Sequence, residues 1–128
     1  MIDHSAIFNI TNAIEFEKLA LKVFKFQFDN NKVYRSFCDL INKHPSDVKA
    51  IEDIPFLPIQ FFKSHKVICG NLDPKTTFTS SGTTGDTTSK HYVSDLNLYE
   101  QSFIKGFQEF YDNVEDYVIL ALLPSYLE

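Results

Sequence analysis

One short run of the sequence, Thr79–Gly85, combines the residue types that could hold a phosphate group. Glycine lets backbone N–H groups approach an anion closely and adopt positive φ, and Ser or Thr hydroxyls add donors without adding charge. Lys90 is the first cation after the run, and it would offset the charge of a phosphate. The pattern therefore predicts a phosphate-binding loop built from Ser80, Ser81, Gly82, Thr83, Thr84, Gly85 and Lys90.

A flexible polar turn is the alternative, because most clusters of Ser, Thr and Gly are only that. Two features favour a binding site: strand-like segments flank the run, and its order is specific, with two hydroxyls, Gly, two Thr and Gly. The run is not a Walker A loop, since no G-x-x-x-x-G-K-S/T pattern fits through it. It also lacks the G-x-G-x-x-G fingerprint of dinucleotide-binding folds.

Other polar residues near the run have both a functional and a structural interpretation. His65 and His91 flank the loop and could approach a phosphate, although a solvated or hydrogen-bonded histidine is the commoner case. Lys63 and Lys66 would form a basic patch with Lys90 if the fold brings the three together. A solvated surface is the alternative interpretation of these lysines.

Composition excludes several classes of protein. The 128 residues suffice for one domain with a core, and 44% of them are hydrophobic, as in globular chains. The 12 basic and 17 acidic residues give a net charge of −5, which argues against a nucleic-acid partner. No apolar stretch approaches the roughly 20 residues of a membrane span, and no secretory signal stands at the start. A cytoplasmic protein is expected by elimination.

The two cysteines, Cys38 and Cys69, do not have the spacing of a metal site. Buried thiols are the expected state of both, because free cysteine behaves as a small hydrophobe. A disulfide between them is the open alternative.

The first half of the chain has the pattern of helices. Apolar residues from Ile14 to Phe28 predict a helix over about 13–28, started by Asn12 as N-cap. A break at Asn30-Asn31 precedes a second helix, which Pro45 is expected to end. Prolines then interrupt residues 53–58, and one short turn is expected at 59–62.

The second half changes to an alternation of strands with one helix. Asp95 should cap that helix, and Asp112-Asn113 should close it. Phe103, Phe107 and Phe110 should face a core, and partial exposure of them is the alternative for a truncated chain. The order becomes strand, glycine-rich loop, strand, helix, strand, which is an α/β arrangement. Strands are predicted at 67–69, 76–79, 91–93 and 117–123.

The apolar run 117–123 also bears on domain organisation. A strand buried on both faces normally belongs to a larger sheet, so a truncated chain is expected, and a small complete domain is the alternative. The expected division is a helical segment over 1–49 and the start of an α/β domain over 50–128.

Ser80–Gly85 resembles the signature loop of the adenylate-forming superfamily: acyl-CoA synthetases, luciferases and peptide-synthetase adenylation domains. Their motif reads approximately S/T-S/T-G-S/T-S/T-G-x-P-K, and its first six positions match. The proline is absent, and Lys90 stands two residues later than the superfamily lysine. The flanks Asp53–His65 and Leu122–Glu128 are similar to segments of the acyl-protein synthetases of bacterial luminescence operons, whose relatives include phenylacetate-CoA-ligase-like proteins.

The resemblance implies an ATP-dependent ligase that uses ATP and Mg2+, of which this chain is the N-terminal part. A carboxylic acid, with a fatty acid favoured, would attack the α-phosphate to give an acyl-adenylate and pyrophosphate. A thiol acceptor, either a protein cysteine or coenzyme A, would then take the acyl group. The loop would hold the β- and γ-phosphates, and the adenine pocket, the magnesium-binding acid and any acyl-accepting cysteine would lie beyond Glu128.

Two residues near the end of the chain are candidates for a substrate pocket. Ser125 and Tyr126 follow the predicted buried strand, and ligands of α/β proteins often bind beyond the carboxyl ends of strands. An aryl- or acyl-CoA ligase remains an alternative function, as does a non-catalytic binding domain that retains the loop only as structure.

Overall fold

Helices and one strand pair make up the part of the chain that the computed structural model describes, residues 2–80 and 88–121. The mixed content agrees with the expected α/β class. Short 3-10 turns occur at His4–Asn9, Ile51–Asp53 and Val114–Asp116. The elements are α1 (Ala13–Asn30), α2 (Lys32–Leu40), α3 (Phe61–Ser64), β1 (Thr76–Thr79), β2 (Lys90–Val93) and α4 (Leu96–Tyr111).

Helix α1 begins where the sequence predicts and runs two residues further than expected. Asn12 Oδ1 accepts a hydrogen bond from the Glu15 amide at 3.0 Å, as an N-cap does. The Glu15 carboxylate reaches back one residue beyond the cap, to the amide and hydroxyl of Thr11, both at 2.9 Å. These bonds from Thr11 lower the pKa of Glu15. The start of α1 is thus a variant of the capping box.

Asn31 joins α1 to α2 and caps both helices. Its backbone N–H donates to the Gln27 carbonyl at 2.8 Å, which closes α1. Its side-chain oxygen accepts from the Tyr34 amide at 3.2 Å, which opens α2. The side-chain nitrogen donates to Gln27 Oε1 at 3.2 Å, so this buried residue uses both polar ends. The break predicted at Asn30-Asn31 therefore falls at Asn31 alone.

Helix α2 ends at Leu40, so the prediction that Pro45 ends it is wrong. Asn42 adopts a left-handed φ of 52°, a conformation that asparagine tolerates better than most residues. Its amide donates to the Asp39 carbonyl at 3.1 Å, and the Lys43 amide donates to the Cys38 carbonyl at 2.9 Å. This pair of bonds is a Schellman motif, which satisfies the last carbonyls before the proline is reached.

The core lies between α1, α2 and the segment that follows them. The buried members of the cluster are Phe24, Phe28, Tyr34, Cys38 and Val48. Aromatic edges meet within it, because the Phe24 and Tyr34 rings are 6.1 Å apart at 84°. The Tyr34 hydroxyl donates to the Pro55 carbonyl at 2.6 Å and so holds the proline-rich segment against the helices. This bond joins a residue of the expected helical segment, 1–49, to a residue of the expected α/β segment, 50–128.

Both segments around the loop are strands, as predicted, and the structure pairs β1 with β2 in antiparallel orientation. Thr76 lies opposite Val93, and Thr79 lies opposite Lys90. The Lys75 amide extends the ladder with a bond of 2.8 Å to the Val93 carbonyl. β1 and β2 are therefore the two strands of a β-hairpin, and the predicted loop lies between them in the sequence.

Helix α4 has the predicted ends but not the predicted core. Asp95 Oδ1 accepts from the Leu98 amide at 3.1 Å, and Asp112 follows the helix with a φ of 60°. The helix buries none of its side chains: Phe103 is 55% exposed, Phe110 is 83% exposed and Phe107 is half-buried. The expected core role of these phenylalanines is wrong for the described structure.

Two predicted strands are absent from the described residues. Residues 67–69 make no strand, because the next residue, Gly70, donates its amide to the carbonyl of Asn30 at 2.6 Å at the end of α1. Residues 117–121 also pair with no strand, and Val118 and Leu120 are each 90% exposed. Leu122 and Leu123, the end of the second prediction, lie outside the described residues. Among the described helices, none has the length and hydropathy that crossing a bilayer requires.

Candidate functional site

The base of the predicted loop is closed by two serines. The Ser80 amide donates to the Ser89 carbonyl at 3.1 Å, and the Ser89 amide donates to Ser80 Oγ at 3.1 Å. Ser80 and Lys90 are both exposed at this end of the hairpin. Ser81, Gly82, Thr83, Thr84 and Gly85 lie outside the described residues, as do Ser125 and Tyr126. Their roles stay predictions.

The fold brings the three lysines of the predicted basic patch around one depression, here called the cationic hollow. It has a volume of about 500 Å³. Lys63 comes from α3, Lys66 from the residues after it, and Lys90 from the start of β2. The other residues that line it are Phe62, Ser64, His65, Thr88 and Tyr92.

The charge of the cationic hollow has one sign. The side chains of Lys63, Lys66 and Lys90 are exposed, and none of the described lining residues is acidic. Converging ammonium groups concentrate anions at a surface, and they suit phosphate oxygens as point charges. Thr88 adds a hydroxyl from the end of the loop. The sequence alone could not place Lys63 and Lys66 beside Lys90, because 24 positions separate Lys66 from Lys90.

The two histidines lie on different surfaces. His65 lines the cationic hollow, stacks on Phe61 with ring centroids 5.1 Å apart, and shares a 2.8 Å hydrogen bond with Ser64 Oγ. His91 lies 6.1 Å from the Phe62 ring and lines a different cavity. Both rings pack against phenylalanine, and His65 is also hydrogen-bonded, which matches the structural interpretation of histidines near the loop.

That second cavity was not predicted from the sequence, and it is here called the apolar groove. Its volume is about 750 Å³. One wall is α1, through Phe16, Leu19, Ala20 and Val23. The facing wall comes from residues far apart in sequence, among them Ile54, Phe56, Val67, Ile68 and Tyr92. No local pattern in the sequence indicates a surface assembled from such distant segments.

The apolar groove and the cationic hollow adjoin. Phe62 and Tyr92 line both cavities. Lys66 Nζ lies 5.7 Å from the centroid of the Tyr92 ring, at cation–π distance. Tyr92 thus separates an apolar surface from a charged one and touches a cation of the charged side.

Cys69 lines the apolar groove, and its thiol is partly buried and hydrogen-bonded. Its Sγ donates to Gln27 Oε1 at 3.2 Å, and burial raises its pKa, so it stays protonated near neutral pH. Burial likewise raises the pKa of the Cys38 thiol, which has no solvent exposure. Both cysteines are free, which rules out the disulfide alternative and confirms the expected buried thiol at Cys38.

The described residues offer no ligand set for the Mg2+ that the resemblance implies. Within residues 2–80 and 88–121, no three His, Cys, Asp or Glu side chains come together as a metal site would require. No step of the mechanism proposed below depends on a metal held by these residues.

Comparison with known proteins identifies the family. The family described as acyl-protein synthetase, LuxE, matches residues 9–108, most of the chain. A long-chain-fatty-acid–luciferin-component ligase of Photorhabdus luminescens is 33% identical over 70 residues, which cover 54% of this chain. The matched stretch is 60% of that relative's length, less than two thirds of it. No solved structure matches the chain. The chain belongs to the acyl-protein synthetase family.

Proposed function

We propose that the chain is part of an ATP-dependent acyl-protein synthetase that activates a long-chain fatty acid. The family match over residues 9–108 supports a ligase of this type. The name of the Photorhabdus relative supports a long-chain fatty acid as the substrate. The observation that carries the ATP-dependent step is the cationic hollow, where Lys63, Lys66 and Lys90 meet Thr88 at the base of the predicted phosphate loop.

The proposed first step forms a mixed anhydride. A carboxylate oxygen of the fatty acid attacks the α-phosphorus of ATP, and the bond to the bridging oxygen of the β-phosphate breaks. Pyrophosphate leaves with the electron pair and carries most of the negative charge. Lys63, Lys66 and Lys90 stabilise that charge, and the loop hydroxyls fix the phosphates in position.

The proposed second step passes the acyl group to a thiolate. The sulfur attacks the acyl carbon, a thioester forms, and AMP leaves with the former carboxylate oxygen. Cys38 does not fit this role because it has no solvent exposure, and Cys69 does not because its thiol is partly buried and hydrogen-bonded to Gln27 Oε1. The acceptor in the proposal is therefore a cysteine outside this chain's described residues. The family description favours a protein thiol over coenzyme A.

The proposal also covers domain organisation. In it, residues 50–128 begin the ATP-binding α/β domain and residues 1–49 are a helical segment packed on it. The hydrogen bond from Tyr34 to Pro55 and the packing of Ile54 and Leu57 against the core cluster of α1 and α2 support close association of the two segments. In the proposal the polypeptide continues past Glu128, so reading the gene beyond that codon is the first check. A stop codon there would leave the non-catalytic binding domain as the better function.

Exchange of labelled pyrophosphate into ATP tests the chemistry in the complete polypeptide. We expect exchange that depends on a long-chain fatty acid. Replacing Thr83 and Thr84 together by alanine should slow exchange without loss of helix content. An exchange rate that the double variant leaves unchanged would remove the loop from the mechanism, and no exchange with any fatty or aryl acid would reject adenylation.

A further inference from the structure

We propose that the apolar groove is the binding site for the alkyl chain of the fatty acid, with the carboxylate at the Tyr92 end, beside the cationic hollow. This assignment rests on the proposed function for the identity of the ligand. It adds a location, a polarity and a set of residues that neither the family match nor the predicted loop supplies.

The dimensions and the lining of the groove suit a flexible apolar ligand. Its volume of about 750 Å³ lies within the range of small-molecule sites, roughly 300 to 1,000 Å³. Phe16, Leu19, Val23 and Ile68 supply aliphatic and aromatic contacts along it. Burial of each CH₂ group in such a site strengthens binding by up to about fourfold. Affinity should therefore rise with the length of the alkyl chain, so a long-chain acid should bind more tightly than a short one.

Three polar residues of the groove, Gln27, Asn31 and Cys69, are paired with one another instead of facing a ligand. Gln27 Oε1 accepts from Asn31 Nδ2 and from Cys69 Sγ, both at 3.2 Å. Asn31 also uses its side-chain oxygen to cap α2. Since these groups are already satisfied, an alkyl chain can cover them without stripping hydrogen bonds from the protein.

Charge complementarity fixes the direction of the ligand. Phe62 and Tyr92 are walls of both cavities, and Lys66 Nζ lies 5.7 Å from the Tyr92 ring. A carboxylate at this junction meets a cation while its tail remains in the groove. A second copy of this chain, or another segment of the polypeptide, could cover the apolar surface without placing a negative charge beside Tyr92 and Lys66. The paired cavities favour an amphiphile with one negative end.

Displacement of a fluorescent fatty acid tests the assignment without ATP. The 128-residue chain is titrated with anthroyloxy-labelled octadecanoic acid, and unlabelled hexadecanoate, octanoate and hexadecanol compete with it. Ala20→Trp fills the groove from α1, and Ala13→Trp adds the same side chain at an exposed position of α1 outside the groove. We expect the affinity for hexadecanoate to fall at least tenfold in Ala20→Trp. In Ala13→Trp it should stay within twofold of the parent chain. Octanoate should compete poorly.

Two further readouts address the polarity of the ligand and the folding of the variants. Lys66→Gln should weaken hexadecanoate several-fold and leave hexadecanol unchanged, because only the acid carries a charge at that end. In the unsubstituted chain, hexadecanoate should slow the labelling of Cys69 by a maleimide. This measurement needs no substitution, so it remains decisive if Ala20→Trp does not fold.

Several results would overturn the assignment. They are an absence of saturable fatty-acid binding, equal affinities in the two tryptophan variants, and Cys69 labelling that the acid does not change. Concentration-dependent dimerisation that Ala20→Trp abolishes would assign the groove to a second copy instead. Failure of the proposed function is distinguishable, since fatty-acid binding in the groove combined with no pyrophosphate exchange would reject adenylation and leave the groove assignment standing.

Discussion

Ser80 and Ser89 face each other at the loop end of the β-hairpin, joined by two hydrogen bonds of 3.1 Å. One bond links the Ser80 amide to the Ser89 carbonyl, and the other uses the Ser80 hydroxyl as acceptor. The two residues at the ends of the predicted phosphate loop are therefore hydrogen-bonded to each other. A side chain of the loop motif itself helps to hold that closure.

Replacing Ser80 by alanine should loosen the loop without unfolding the protein. The variant loses the acceptor of the Ser89 amide, a net loss of about 1 kcal/mol. We expect several-fold weaker binding of inorganic pyrophosphate by calorimetry, with the circular dichroism spectrum unchanged. Thr77→Ala, on the same hairpin but away from the loop, is the control and should bind normally. Normal affinity in Ser80→Ala would show that this closure is irrelevant to anion binding.

Neutralising two lysines of the cationic hollow should weaken anion binding in a salt-dependent way. Lys63→Gln combined with Lys90→Gln removes two of the three ammonium groups that line it. We expect pyrophosphate affinity to fall by about tenfold at low salt, and by less at high salt, where exposed charges are screened. Lys18→Gln combined with Lys22→Gln, both on the exposed surface of α1, removes the same number of charges and is the control. Equal losses in the two double variants would reject a specific site.

Asn31 should contribute far more to stability than the asparagine beside it. Asn31→Ala removes the cap of α2 and leaves the partly buried Gln27 side chain without one donor. We expect a loss of about 1–3 kcal/mol in the free energy of unfolding, measured with urea. Asn30→Ala is the matched control, because Asn30 is exposed and makes one bond to the Phe26 carbonyl. Similar losses in both variants would contradict the double-cap account.

Asp53 should make stability fall in acid. Its carboxylate accepts from the amides of Lys49 and Ala50 at 3.0 and 3.1 Å, and these bonds lower its pKa below the ordinary 3.8. A lowered folded-state pKa gives stability that is present above 3.8 and is lost as pH falls through the lower value. Asp53→Asn keeps an acceptor but cannot titrate, so its unfolding free energy should fall less steeply below about pH 5.

Glu52→Gln, at the exposed neighbouring carboxylate, is the control for that measurement. It should follow the pH dependence of the parent chain. If Asp53→Asn also follows the parent, the two amide bonds do not couple folding to pH.

Local signals in the sequence predicted the helices and the two strands beside the loop well. Asn12 and Asp95 carry capping chemistry that acts within three residues, and β1 and β2 follow β-favouring runs on either side of the loop. The end of α2 was missed because it depends on the left-handed conformation of Asn42, which is visible only in the backbone. In the sequence, Pro45 was the stronger signal for the end of a helix, and it lies beyond the actual end.

Long-range contacts account for the other errors and for the site that was missed. The apolar residues 67–69 suggested a strand, but Gly70 and Cys69 bond to the end of α1 instead. The apolar groove combines α1 with segments up to Ser94, so no window of sequence contains it. The sequence suggested a single patch formed by the three lysines. Their proximity depends on the packing of α3 beside β2, which only the structure shows.

The most direct test of the central claim follows the carboxylate oxygens during a single turnover of the complete polypeptide. Hexadecanoate labelled with oxygen-18 in its carboxylate is supplied with ATP and a thiol acceptor, and the nucleotide products are analysed by mass spectrometry. Adenylation predicts one labelled oxygen in AMP and none in pyrophosphate, because the carboxylate attacks the α-phosphorus. Formation of ADP with the label in inorganic phosphate would contradict it, since that result requires attack at the γ-phosphorus.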